Sequence, residues 1–390
     1  MQKEQNKRYI LGSCFYAFFI NGITGLILGS LLPYLTQTYQ LGYQVSGLLL
    51  SAHSFGNLVA GFIAGALPVY LGRKRSILLL SSATALGFIG MVLIGNPVLL
   101  LLSFLFTGIG RGSVSNFNNV IVTETSDGNP KALNILHSFF AIGAFIAPFL
   151  VLCFTQLQPD YWKWSSLSVA VLACVMIGLF GVMKLSDPVS WAAQSTPQRS
   201  FSFLKQSGFW ISSGILFFYL CAETAINGWL VTYFKDSGIM TDGYAQTLAS
   251  LLWLVILFGR LTCAYLSQFV SKQKLLVGTA AGTIVFFILL LATHNLTIIT
   301  VSIVGLGFCM AGIYPTTVAN VGGVIKSAPM AMGTLLAIAG LGGIIMPAVT
   351  GFVAGRFSIF GGMAVISVAV ALNFIFAVVN AVRQGPDSSV

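Results

Sequence analysis

The sequence predicts an all-α integral membrane protein in which twelve transmembrane helices form two pseudo-symmetric six-helix bundles. Three observations carry this. Of 390 residues, 56% are hydrophobic and only 7% charged, with a mean hydropathy of +0.91, whereas a soluble domain is roughly 25% charged. So few charges cannot cover a water-facing surface, so lipid is the solvent for most of the chain. The apolar residues also fall into runs of about 20, the length of helix that crosses a hydrocarbon core. Finally, short glycine-containing strings recur between the two halves at nearly constant spacing.

In chain order the spans lie near 9–35, 45–71, 76–95, 98–124, 132–154 and 165–184, then 209–234, 243–268, 274–293, 297–321, 330–354 and 361–382. The first run is too long for a signal-peptide core and lacks a small-residue cleavage pattern, so it is expected to stay as a span. The polar stretch 185–208 is the longest such connection. It divides the chain into an N-terminal bundle (1–184) and a C-terminal bundle (209–390), the place for a cytoplasmic linker. The six cysteines sit singly in apolar runs, without disulfide or metal spacing, and read as packing residues.

A net charge of +10 fits the cytoplasmic excess of basic residues in membrane proteins better than nucleic-acid binding. With the N-terminus inside, fourteen of the 19 Lys and Arg residues fall on the cytoplasmic side, among them Arg73, Lys74, Arg199, Lys272 and Lys326. Lys163, Lys235 and Arg356 fall outside, and Arg111 and Arg260 fall inside spans. Both termini are therefore expected in the cytoplasm, in a plasma or inner membrane.

Internal repetition supports the two-bundle reading. "GAFIAP" (143–148) and "GGIIMP" (342–347) are offset by 199 residues; "GIGR" at Gly108 and "GLGF" at Gly305 by 197; "FING" ending at Gly22 and "AING" ending at Gly228 by 206. Small residues let helices approach closely in lipid. Paired halves with Gly- and Pro-interrupted spans in matching places are the pattern of secondary transporters.

The acid inventory leaves one carboxylate, Glu223, at membrane depth. A charge at the hydrocarbon centre costs ~2.5 kcal/mol or more, so such a residue faces a cavity or a partner. Glu223 is the candidate proton-coupling residue; a permanent hydrogen bond or ion pair is the competing reading. Tyr219, Glu223 and Asn227 share a helix face at i, i+4, i+8. On the fourth span Arg111, Ser115, Asn118 and Asn119 form a comparable stripe. Arg111 is either a cavity cation or a structural partner. Gln246, Ser250, Trp253, Leu257 and Arg260 form another on the eighth, where Trp253 offers a face for a sugar ring or simply core packing. Arg260 lies nearer the cytoplasm, where gating or structural pairing is expected. His53 shares a face with Asn57, and His137 with Asn134. His137 is a candidate proton relay, with an interhelical hydrogen bond as the alternative. Tyr314, before Pro315, marks an expected bend.

The loop "GALPVYLGRKR" (65–75) resembles the cytoplasmic signature of the major facilitator superfamily, matching at Gly65, Leu67, Gly72, Arg73 and Lys74. Val69 and Tyr70 replace its Asp-Arg pair, and Gln268 stands where the second half commonly has an acid. "NILHSFFAIGAFIAPF" (134–149), "ETAINGWLVTYF" (223–234) and "GFCMAGIYPT" (307–316) are similar to spans of the fucose/glucose/mannose-type proton symporters. The resemblance implies the major facilitator fold and proton-coupled uptake of a sugar-like solute. Fucose-type members carry carboxylates in the first and fourth spans, where this chain offers Asn21, Asn118 and Asn119.

The expected function is a proton-coupled symporter of a small polar solute. The alternatives are a proton-driven exporter of amphipathic compounds, an organic-anion transporter, or a membrane scaffold. No P-loop or HExxH is present, so ATP drive and enzyme chemistry are not expected. The expected partners are a small-molecule substrate, protons and membrane lipids. No cofactor, metal or nucleic acid is expected, and the chain is expected to act as a monomer. Asn21, Arg111, Asn118, Asn119, Tyr219, Asn227, Gln246, Trp253 and Tyr314 are the candidate substrate contacts. Arg73, Lys74 and Arg260 are the candidate gating residues.

Overall fold

The computed structural model describes residues 2–185, 202–322 and 330–384. Most of the 185–208 connection, with Arg199, lies outside them, as do Lys326 and the last residues. Contacts divide the chain into two compact units, Met1–Gln194 and Ser195–Val390. Among the described residues twelve helices are long and apolar enough to cross a membrane, and none forms a strand.

The first unit contains α1 (Gln2–Tyr39), α2 (Tyr43–Leu71), α3 (Arg73–Leu93), α4 (Pro97–Thr125), α5 (Pro130–Thr155) and α6 (Trp162–Val182). Its helix starts are local chemistry. Asn96 accepts from the backbone N–H groups of Val98 and Leu99, and Asn129 from that of Lys131, each followed by proline at the first helical position. Gly72, between α2 and α3, has φ 77°. That conformation favours glycine and explains why the signature loop places one there.

The second unit contains α7 (Ser207–Asp236), α8 (Asp242–Leu266), α9 (Lys272–Leu291), the short pair α10 (Leu296–Met310) and α11 (Ile313–Asn320), α12 (Met330–Arg356) and α13 (Ile359–Gln384). The tenth span is thus broken at Ala311 and Gly312, just before the expected bend at Tyr314. Pro315 cannot donate to the carbonyl of Ala311, four residues back, and its ring crowds that carbonyl.

Packing inside the two units follows one plan. In the first, α1 packs on α5, α2 on α4, and α3 on α4 and α6. In the second, α7 packs on α12, α8 on α10, and α9 on α10 and α13. Two close glycine contacts in each unit correspond residue by residue. A Cβ on Gly108 would run into the carbonyl of His53, and one on Gly307 into the carbonyl of Leu252. Both partners are shifted by 199 residues. Gly143 approaches the carbonyl of Phe19 as Gly342 approaches that of Phe217, shifts of 199 and 198. The structural register therefore corrects the expected offsets of 197 and 206. Gly108 corresponds to Gly307 rather than Gly305, and the "FING"/"AING" match is out of register by two helical turns. Glycine is so common here (42 residues) that string matching found neighbouring glycines.

Candidate functional site

In the first unit the candidate residues gather on α1, α4 and α5. Arg111 is half-buried at the middle of α4. It crosses α1 at Gly25, where a Cβ would lie 2.9 Å from its Nε. Its Cζ stands 5.9 Å from the ring centre of Phe140 on α5, within cation–π range. Gly25 and Phe140 were not singled out from the sequence, because only the fold brings them to Arg111. Asn21, one turn before Gly25, is buried, and no hydrogen-bond partner for its Oδ1 occurs among the described residues.

The asparagines of α4 behave differently from a solute-facing stripe. The side-chain nitrogens of Asn118 and Asn119 donate to the carbonyls of Val114 and Ser115 at 2.7 and 2.8 Å. Asn116, passed over in the sequence, donates to that of Gly112 at 2.7 Å and is exposed. Each thereby spends one amide N–H inside its own helix. Asn118 is fully buried, so its expected place on an open stripe is corrected; it packs inside the unit while Asn119 stays half-buried. His137 is exposed on α5 and meets Phe18 edge-on at 5.4 Å. His53 is buried, with Nδ1 2.9 Å from the Thr107 hydroxyl.

At the α2–α3 turn the structure separates the two basic candidates. Lys74 is exposed. Arg73 is only 5% exposed, and its Nη1 pairs with Oε2 of Glu124 at 2.6 Å, joining the start of α3 to the last turn of α4. Fifty residues separate the two in the chain, so only the fold brings them together.

In the second unit the seven candidates lie on α7, α8 and α11. The Tyr219 hydroxyl donates to Glu223 Oε1 at 2.8 Å. Tyr219 is buried and Glu223 half-buried. One turn further on, Asn227 Oδ1 accepts from the indole Nε1 of Trp253 on α8 at 3.1 Å. Trp253 is 7% exposed, which fits the core-packing alternative: the ring is a wall of the unit that fixes Asn227. Gln246 is likewise fully buried. Tyr314, at the start of α11, places its ring 6.3 Å from that of Tyr219. The exposed Arg260 of α8 lines one cavity with Tyr314. One carboxylate, two phenols and one guanidinium thus form a polar cluster built by α7, α8 and α11. Such a cluster can hold a proton on the carboxylate or offer hydrogen bonds to a hydroxyl-rich ligand.

Comparison with known proteins fits this architecture. The Major Facilitator Superfamily profile matches residues 14–287. A bacterial homologue of the human lysosomal transporter Spinster superposes with a TM-score of 0.80 at 14% identity, covering 98% of this chain and 99% of that one. The fucose:proton symporter FucP of E. coli superposes with a TM-score of 0.62 at 21% identity, covering 95% and 98%. The glucose/galactose transporter of Brucella abortus is 21% identical over 372 residues, 91% of this chain and 90% of its own length. With the profile spanning well over half of the sequence and the fold shared end to end, this multi-pass membrane transporter belongs to the Major Facilitator Superfamily.

Proposed function

We propose that the protein is a proton-coupled symporter that takes up a small polar solute, a sugar or sugar derivative, by alternating access of its two six-helix bodies, 1–184 and 209–390. The observation that carries this reading is Glu223. It is half-buried at mid-span and hydrogen-bonded to Tyr219 rather than packed in an apolar wall. A carboxylate held there exchanges its proton when water reaches it, and one such exchange per cycle couples the solute to a proton gradient. His137, exposed on α5, is the candidate second carrier. Arg111, Asn21, Asn119, Tyr219, Asn227 and Tyr314 are the proposed solute contacts, with Asn118, Gln246 and Trp253 supporting them from within the bundles. Arg73, Lys74 and Arg260 are proposed to act at the gate. The bias of basic residues supports cytoplasmic termini in a plasma or inner membrane, and the single chain holds all the proposed site. The named activities of FucP and of the Brucella transporter support the sugar class.

The test uses proteoliposomes with an imposed inward proton gradient and labelled sugars. Accumulation of a sugar above its outside concentration is expected. Glu223→Gln should abolish accumulation while leaving counterflow exchange at a measurable fraction of the parent rate. Expulsion of solute would make the protein an exporter, and undiminished accumulation by Glu223→Gln would remove this residue from coupling.

A further inference from the structure

A cavity of about 430 Å³ opens where α8 ends, α9 begins and α11 passes, wholly inside the second unit. Its walls bring together Arg260 from α8 and Lys272, the first residue of α9, with the hydroxyl-bearing Tyr314 and Thr316 of α11. Among the described residues no Asp or Glu lines it. Neither Arg260 nor Lys272 makes an ion pair or hydrogen bond among the described residues. Two cations facing one cavity without an acid repel each other and await a counter-charge. The remaining wall is formed by Cys263, Ala264, Ser267, Pro315 and Ala319, apolar but for the Ser267 hydroxyl, which donates to the Ala264 carbonyl. Next to this wall in the chain, α8 is apolar and exposed at Leu261 and Tyr265, as is Phe269 in the turn that follows. The last two rings pack at 5.2 Å.

We propose that this cavity binds a phosphate-type anion, held by Arg260 and Lys272 and supplied either by an anionic phospholipid headgroup or by a soluble organic phosphate. The flexible ammonium and the planar guanidinium approach the oxygens from two helices, while Tyr314 and Thr316 donate from the third. In the lipid case the acyl chains lie along the exposed apolar face of α8. The site shares Arg260 and Tyr314 with the polar cluster around Glu223, while Glu223 itself is not among the lining residues.

The experiment measures the thermal midpoint of the full chain in neutral detergent, since a ligand bound to the folded state raises it. Phosphatidylglycerol, diacylglycerol with the same chains, and glycerol 1-phosphate are titrated separately. A rise with phosphatidylglycerol alone assigns the lipid source, and a rise with glycerol 1-phosphate assigns the soluble one. Diacylglycerol should give none. Arg260→Gln combined with Lys272→Gln should weaken the response about thirtyfold, and the exposed Lys272→Gln alone about fivefold, taking roughly 1 kcal/mol per basic residue. Gly178→Ala, in open space in the first unit, should respond like the parent. No rise with either anion, or an undiminished response in the Lys272→Gln protein, would overturn the proposal.

Discussion

Tyr219 and Glu223 stand one helical turn apart on α7, joined by a 2.8 Å hydrogen bond from the phenol to Oε1. A hydrogen bond to a charged group is worth about 1.5–3 kcal/mol, so the hydroxyl governs how the carboxylate is held. Tyr219→Phe is expected to slow gradient-driven accumulation about tenfold. In counterflow exchange, which Glu223→Gln retains in part, adding Tyr219→Phe should cost no more than Glu223→Gln alone, because both act through one bond. Fully additive losses of exchange would show that the two residues act separately.

Arg73 and Glu124 make the second link open to dissection. The guanidinium is nearly enclosed, whereas the Glu124 side chain is 45% exposed, and this exposure weakens the pair relative to a fully buried one. Glu124→Ala is expected to cost about 1–2 kcal/mol, read as a fall of the thermal midpoint in detergent. Arg73→Ala with Glu124→Ala should lose less than the sum of the single changes. A midpoint unmoved by Glu124→Ala would show that the pair adds nothing to stability.

Trp253 separates packing from binding. Its indole N–H is spent on Asn227, so Trp253→Phe should lower stability by about 1 kcal/mol. Half-saturation for solute should change less than about twofold, a small fraction of what an aromatic stacking partner supplies. A large rise in half-saturation with an unchanged thermal midpoint would restore the ring to the solute.

The repeated glycine contacts predict matched sensitivity in the two halves. Gly143→Val and Gly342→Val each drive a branched side chain into a carbonyl of the facing helix. Each should cost about 3 kcal/mol or more and reduce recovery of monodisperse protein by size exclusion. Gly178→Ala, with open space around its Cα, should leave that profile intact. Tolerance of both valines would mean that the helices can separate without penalty.

Span lengths and the Tyr219–Glu223–Asn227 stripe were legible in the sequence, because both depend on helical periodicity alone. The Asn227–Trp253, Arg73–Glu124 and Arg111–Gly25 relationships were not. Each joins different helices, and nothing local records which side chain a mid-span polar group will meet. The asparagines of α4 show a subtler loss. Their spacing described a polar face correctly, but an asparagine can also donate to the carbonyl one turn back, as Asn116, Asn118 and Asn119 all do. The helix thereby absorbs part of the polarity that the pattern assigned to a ligand.

The interruption at Ala311 and Gly312 leaves α11 only eight residues long. Because Pro315 has already removed the N–H that would have met the Ala311 carbonyl, tilting this half-turn joint sacrifices no hydrogen bond there. Tyr314 rides on its moving side, two residues past the pivot. The span therefore has a compliant elbow next to its phenol, so a small swing of α11 repositions that hydroxyl while the rest of the helix keeps its shape.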